Sequence, residues 1–198
     1  LAAGAKEVLM PQDNGLVVLE HPILVPKALG IYHAFVTLTA RSSWARDELR
    51  AGGVPDAQVS NEGVDLAMFH PAEPRCYLKS RFVIFSGGKL EFRKGQDIVV
   101  EAVKRFRVRH PETLLISLWS SPMVRGYFVK LLDRSPHHPR MLDHVGETGI
   151  DWPALIQSVG LTNDGVRIFE MTENWILPQI MREADVALFP NRCEGGTN

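Results

Sequence analysis

Residues 82–108 read FVIFSGGKLEFRKGQDIVVEAVKRFRV, and this stretch decides the fold. It opens on Phe82 to Phe85, an apolar run without polar alternation, which predicts a strand buried on both faces. A glycine-rich, cationic turn follows. Val99, Ala102, Val103 and Phe106 then fall at i, i+3, i+4 and i+7, one helical face, with Lys104, Arg105 and Arg107 directed elsewhere. This predicts a helix from about Gln96 to Val108. Strand, turn and amphipathic crossover helix are the first half of a unit whose next strand runs parallel to the first.

The pattern continues downstream. TLLISLW at 113–119, VRIF at 166–169 and DVALF at 185–189 read as further strands. A helix with Asp151 as cap and Pro153 in its first turn stops at Gly160, and a shorter one runs from near Pro178 to about Glu183. Residues 120–150, with Pro122, Pro136 and Pro139, fit least and are expected to be an irregular insertion or a helix with a long loop. Upstream, Leu16 to Leu19 and Ala34 to Thr39 read as strands, the second leading through Ser42 and Ser43 into a helix that stops at Gly52 and Gly53. Gln58 to Ser60 form a short extended piece. The stretch 61–76, with Gly63, Pro71 and Pro74, reads as an interdomain connection. The expectation is an α/β protein with Rossmann-like parallel sheets, one domain within 1–75 and a second within 76–198.

Composition narrows the partners. Lys and Arg number 22 against 23 Asp and Glu, so no net positive field draws the chain to nucleic acid, and any anion site must be local. Hydrophobic residues at 45% and charged residues at 23% exclude the disordered class. Cys76 and Cys193 have no CxxC spacing, so neither a disulfide framework nor a thiolate metal site is indicated, and a reducing, cytoplasmic compartment is the default. Apolar runs are far short of the roughly 18 residues of a membrane span. The chain begins with Leu and stops at EGGTN, from which we expect a piece of a longer protein, truncated at both ends.

Ligands of an open parallel sheet bind at the carboxyl ends of strands, in turns that lead into helices. Two turns qualify. The first, Ser86 to Asp97, combines Gly87 and Gly88 with Lys89, Arg93 and Lys94 before Gly95 and a helix start. Exposed amides, a helix amino end and cations suit a phosphate, while a solvated basic turn with a glycine hinge fits the spacing equally well. The second, Pro190 to Asn198, places Glu194 beside Gly195, Gly196, Thr197 and Asn198. Taken alone, it reads as a turn with a solvent-facing carboxylate. His137, His138 and His144 match no metal-ligand spacing and read as solvated loop residues, so no metal site is expected. Trp44, Trp119, Trp152 and Trp175 read mostly as packing residues.

Three segments together carry a resemblance. NEGVDLAMFHP at 61–71, SGGKLEFRKGQDIVVEAV at 86–103 and ADVALFPNRCEGGTN at 184–198 resemble consecutive signatures of the GT-B-fold retaining glycosyltransferases of family four, and SSWARDELRAGGVP at 42–55 resembles the element preceding them. The resemblance implies a GT-B architecture with an acceptor domain and a nucleotide-sugar donor domain. It implies no metal and no cofactor, a nucleotide-sugar partner, and an acceptor that is a glycan, lipid, protein or small molecule. It also allows a peripheral membrane association of the full-length protein.

By the same resemblance, Lys89 and Lys94 are the basic pair on the donor phosphates, with Lys89 standing where Arg is usual and losing its planar fork. Ser86, Gly87, Gly88 and Arg93 line that turn. Glu194 contacts the donor sugar; its acidic partner would fall beyond Asn198. Gly195 to Asn198 offer main-chain donors, and Met171 and Thr172 lie in the loop that meets the nucleobase. A functional histidine near a strand end of the first domain is also implied, for which His21, in a different local sequence, is the candidate. Asn61 and Glu62 replace the usual Pro-Asn. A nucleotide-sugar-binding protein without transfer and a nucleotide-sugar epimerase or hydrolase on the same architecture are the alternatives.

Overall fold

A computed structural model of the chain describes residues 8–9, 37–40, 42–60, 63–120 and 127–192. The described residues fall into two compact units, divided between Asp65 and Leu66.

In the first unit, β1 (Val8–Leu9), β2 (Thr37–Ala40) and β3 (Gln58–Val59) form a parallel sheet in the order β1-β2-β3. Helix α1 (Ser43–Ala51) connects β2 to β3. Ser42 caps it, its hydroxyl accepting from the Ala45 amide at 3.1 Å, and Gly52 closes it. Ala45 and Leu49, one turn apart, bury against Ala40, Val54 and Ala57. The expected strand at Leu16 to Leu19 lies outside the described residues.

The second unit, Leu66–Arg192, holds a four-stranded parallel sheet in the order β6-β5-β4-β7. Its strands are β4 (Phe82–Lys89), β5 (Thr113–Ser120), β6 (Val166–Phe169) and β7 (Val186–Ala187). Pairing runs from Phe82↔Thr113 to Lys89↔Ser120, and Phe85 sits opposite Ala187. Alternation along β4 divides the core. Ile84 packs with α2 (Gln96–Arg107) and α4 (Trp152–Ser158), whereas Val83 and Phe85 pack with Leu177 and Ile180 of α5 (Leu177–Arg182). Helices therefore cover both faces, as the apolar strands require. Asp151 caps α4 through its carboxylate, accepting from the Ala154 amide at 3.1 Å.

Three expectations are corrected. The buried residues of α2 are Gln96, Asp97, Val99, Val100 and Val103, with Ala102 exposed. Phe106 leaves the core to meet Phe82 and His110 at its rim, while Arg107 turns inward to the Thr113 carbonyl and Asp164. The stretch 120–150 was expected as an irregular insertion or a helix with a long loop; over its described residues the helix is only α3 (Tyr127–Lys130), which runs into the 3-10 turn Leu131–Arg134, and a second 3-10 segment spans Pro139–His144. These place Val129, Leu132 and Met141 in the main core. Of the tryptophans, Trp119 and Trp152 meet in that core at 6.4 Å, but Trp44 and Trp175 are exposed.

No described helix is long and apolar enough to cross a membrane.

Candidate functional site

Strand order fixes the place. β5 and β6 extend the sheet to one side of β4, and the chain then returns through α5 to lay β7 on the other side. The carboxyl ends of β4 and β7 thus flank a topological switch point, and the two turns that leave them meet there. One turn is Leu90 to Gly95, including the 3-10 segment Phe92–Lys94; the other is Leu188 to Arg192. Both lie within the second unit.

The first turn is shaped by its glycines. Gly88 has φ +117, and the nearest atoms to a Cβ placed there are Lys94 Cδ at 3.9 Å and Gln96 Nε2 at 4.0 Å. The Lys94 stem therefore runs alongside the Gly88 backbone. Gln96 donates to the Lys89 carbonyl at 2.5 Å, tying the strand end to the first helical turn. Gly95, with φ +74, ends the 3-10 turn and starts α2, and a Cβ there would collide with the Pro190 carbonyl. Only glycine allows the two turns to come this close.

Sequence reasoning named several residues here, and their surroundings differ. Lys89 is exposed at the end of β4 and Lys94 is half-buried at the end of the 3-10 turn. Ser86 is buried, its hydroxyl accepting from the Trp119 indole at 3.3 Å. Gly87 packs beside the rings of Phe85 and Phe189. Arg93 pairs with the buried Glu91 at 2.7 Å, so its charge is locally balanced. Met171 is exposed and Thr172 half-buried, in the turn after β6 at the same sheet margin. His21, Glu194, Gly195, Gly196, Thr197 and Asn198 lie outside the described residues.

Three residues here, Asp97, Arg192 and Ser135, were not singled out from the sequence. Asp97, in the first turn of α2, is fully buried and forms a bidentate pair with Arg192, both contacts at 2.7 Å. Ser135 donates to the same carboxylate at 2.5 Å. Burial pushes the Asp97 pKa up, but Arg192, Ser135 and the Ile98 amide outweigh it and hold the carboxyl below its ordinary range. The available signal was an acid two residues after Gly95, where a helix amino end favours negative charge. Nothing local pointed to an arginine 95 residues away.

His138 also corrects its expectation. Its side chain is only 10% exposed, with Nε2 3.3 Å from Glu101. Burial depresses its pKa, Glu101 and Asp97 opposing and Lys104 and His137 reinforcing that shift. A histidine depressed in the fold binds its proton more readily when unfolded, so its contribution is complete above about pH 6.5 and lost as pH falls through the lower folded value. We expect urea midpoints to drop between pH 7.5 and pH 5.5, and His138→Gln to reduce that drop; an identical drop in the variant would exclude His138 as its source. Among the described residues, no three His, Cys, Asp or Glu side chains gather where a metal ion would sit.

Comparison with known proteins agrees with the topology. No family model and no curated protein matches the chain. Solved structures do. Anabaena HepE, in complex with UDP and glucose, is 18% identical with a TM-score of 0.65, over 94% of this chain and 46% of HepE. The fold is that of the GT-B glycosyltransferases. Sucrose-phosphate synthase of Thermosynechococcus elongatus (16% identity, TM-score 0.63) is matched over 96% of this chain and 45% of its own. A UDP-forming trehalose-phosphate synthase of Burkholderia xenovorans (10%, 0.67) is matched over 98% and 49%. The chain spans about half the length of these GT-B relatives.

Proposed function

We propose that the whole protein is a retaining, metal-independent glycosyltransferase that moves a sugar from a nucleotide-sugar donor to an acceptor. One observation carries this: Gly88, Lys89 and Lys94 stand at the sheet's switch point in a fold shared with HepE, whose solved structure contains UDP and glucose. The donor diphosphate would lie along that turn. As the bond from anomeric carbon to diphosphate breaks, its electron pair passes to the departing phosphate while the sugar becomes cationic. The acceptor oxygen then bonds to the anomeric carbon, and its proton ends on the released diphosphate. Lys94, and Lys89 at the start of the same turn, supply positive charge for that moment before the reaction starts. The same reading takes a reducing, cytoplasmic setting, from two cysteines without framework spacing.

The test incubates the whole protein with labelled nucleotide sugars and candidate acceptors, with and without a chelator. Transfer with retained anomeric configuration and release of nucleoside diphosphate, undiminished by chelation, is the expected result. An altered nucleotide sugar, hydrolysis without transfer, or binding alone would replace this reading by an epimerase, a hydrolase or a binding protein.

A further inference from the structure

We propose that Arg192 and Asp97 form a positioning clamp that locks the turn after β7 onto the turn carrying Lys94. The inference rests on the glycosyltransferase reading of the switch point. Arg192 reaches the basic turn at four points. Its amide donates to the Arg93 carbonyl at 2.7 Å, and its Nη1 to the Phe92 carbonyl at 2.8 Å. The same guanidinium grips both oxygens of Asp97, and it lies 4.1 Å from the centre of the Phe92 ring. These contacts engage residues on either side of Lys94, so they fix the backbone from which that ammonium projects.

The choice of groups matters. A carboxylate with no exposed surface is a costly way to join two turns, since a well-packed apolar pair holds them at least as firmly. What the ionic pair adds is direction: a planar fork on a carboxylate permits one approach, where an apolar contact permits sliding. Lysine could not span the Phe92 carbonyl and both Asp97 oxygens together. Ser135 carries the device one element further. Its hydroxyl donates to Asp97 and accepts from the amides of His137 and His138, so residues 135–138 brace the carboxylate from behind. Arg192 touches no reacting group here; it is a positioning residue.

The test uses the whole protein carrying Arg192→Met, Arg192→Lys or Asp97→Asn, read by amide hydrogen exchange and by donor kinetics. In Arg192→Met we expect exchange at the amides of residues 94, 95 and 192 to rise about tenfold or more, with β4 and β5 amides unchanged. We expect kcat to fall about a hundredfold while donor KM stays within about threefold, because a reacting group displaced by about an ångström costs rate more than affinity. Arg192→Lys should recover part of kcat, and Asp97→Asn should reproduce the local loosening. Unchanged exchange at those three amides in both Arg192→Met and Asp97→Asn would overturn the clamp, whatever happens to activity. Faster local exchange in a protein that neither binds nor turns over any nucleotide sugar would support the clamp as a structural device and overturn the catalytic reading instead.

Discussion

Lys94→Ala is expected to lower sugar transfer by about a thousandfold while leaving the protein folded. A unit charge about 4 Å from the departing phosphate, at an effective dielectric near 20, contributes about 4 kcal/mol, and each 1.4 kcal/mol or so is tenfold in rate. In the proposed reaction Lys94 supplies that charge. Its amide bonds to the Glu91 carbonyl at 2.9 Å within the 3-10 turn, and its stem runs beside Gly88. The backbone of the turn is held by contacts that alanine retains, so the melting temperature should move by only a few degrees. Lys94→Arg keeps the charge and should keep much of the rate. Donor kcat/KM for the three proteins is the measurement, and undiminished turnover by the alanine variant would remove Lys94 from the mechanism.

The largest structural effect is expected from Gly95→Ala. A residue with a Cβ at φ +74 costs about 1–2 kcal/mol in strain. Here the Cβ also meets the Pro190 backbone, which cannot swing aside as a side-chain tip does. Overpacking of that kind costs about 1–3 kcal/mol more, for a total near 3 kcal/mol. In a chain of this size that lowers the melting temperature by roughly 10 °C. Gly160 is the control. Its φ is +77, but its neighbour is the flexible end of Lys104, so Gly160→Ala should carry the strain without the collision. Equal destabilisation by the two substitutions would mean that Gly95 and Pro190 do not meet. Gly95→Ala should also weaken nucleoside diphosphate binding, since the displaced turn bears Lys94, whereas Gly160→Ala should not.

Local signals made much of the architecture legible. Strand β6 occupies the four residues its apolar run indicates, α1 starts at the expected serine cap, and α4 starts after Asp151 with Pro153 in its first turn. Each rests on chemistry confined to a few neighbouring residues. What escaped depended on remote contacts. Val100 displaces Ala102 from the buried face of α2 because that face is chosen by the sheet and α4 beneath it, and periodicity alone tolerates either rotation. The pairing of Arg93 with Glu91, two residues earlier and buried, was not visible in a turn read only for its cations. His138 looked solvated because prolines flank it, but Ser135 folds its segment onto α2, where Glu101 waits. The Arg192–Asp97 pair was the least legible feature. Its halves lie 95 residues apart in sequence, and only the return of the chain through α5 brings them together.

That return path has a consequence for biosynthesis. Strands β4, β5 and β6 all emerge from the ribosome before β7, so through most of synthesis β4 is the sheet's outer strand. Until Leu188 donates to the Phe85 carbonyl and Asp185 caps the Val83 amide, that border presents unpaired peptide groups flanked by Val83, Ile84 and Phe85. Such a border invites pairing with another nascent chain. A premature stop a few codons before Ala187 would therefore yield an aggregating product, whereas one just after Arg192 would leave the border sealed.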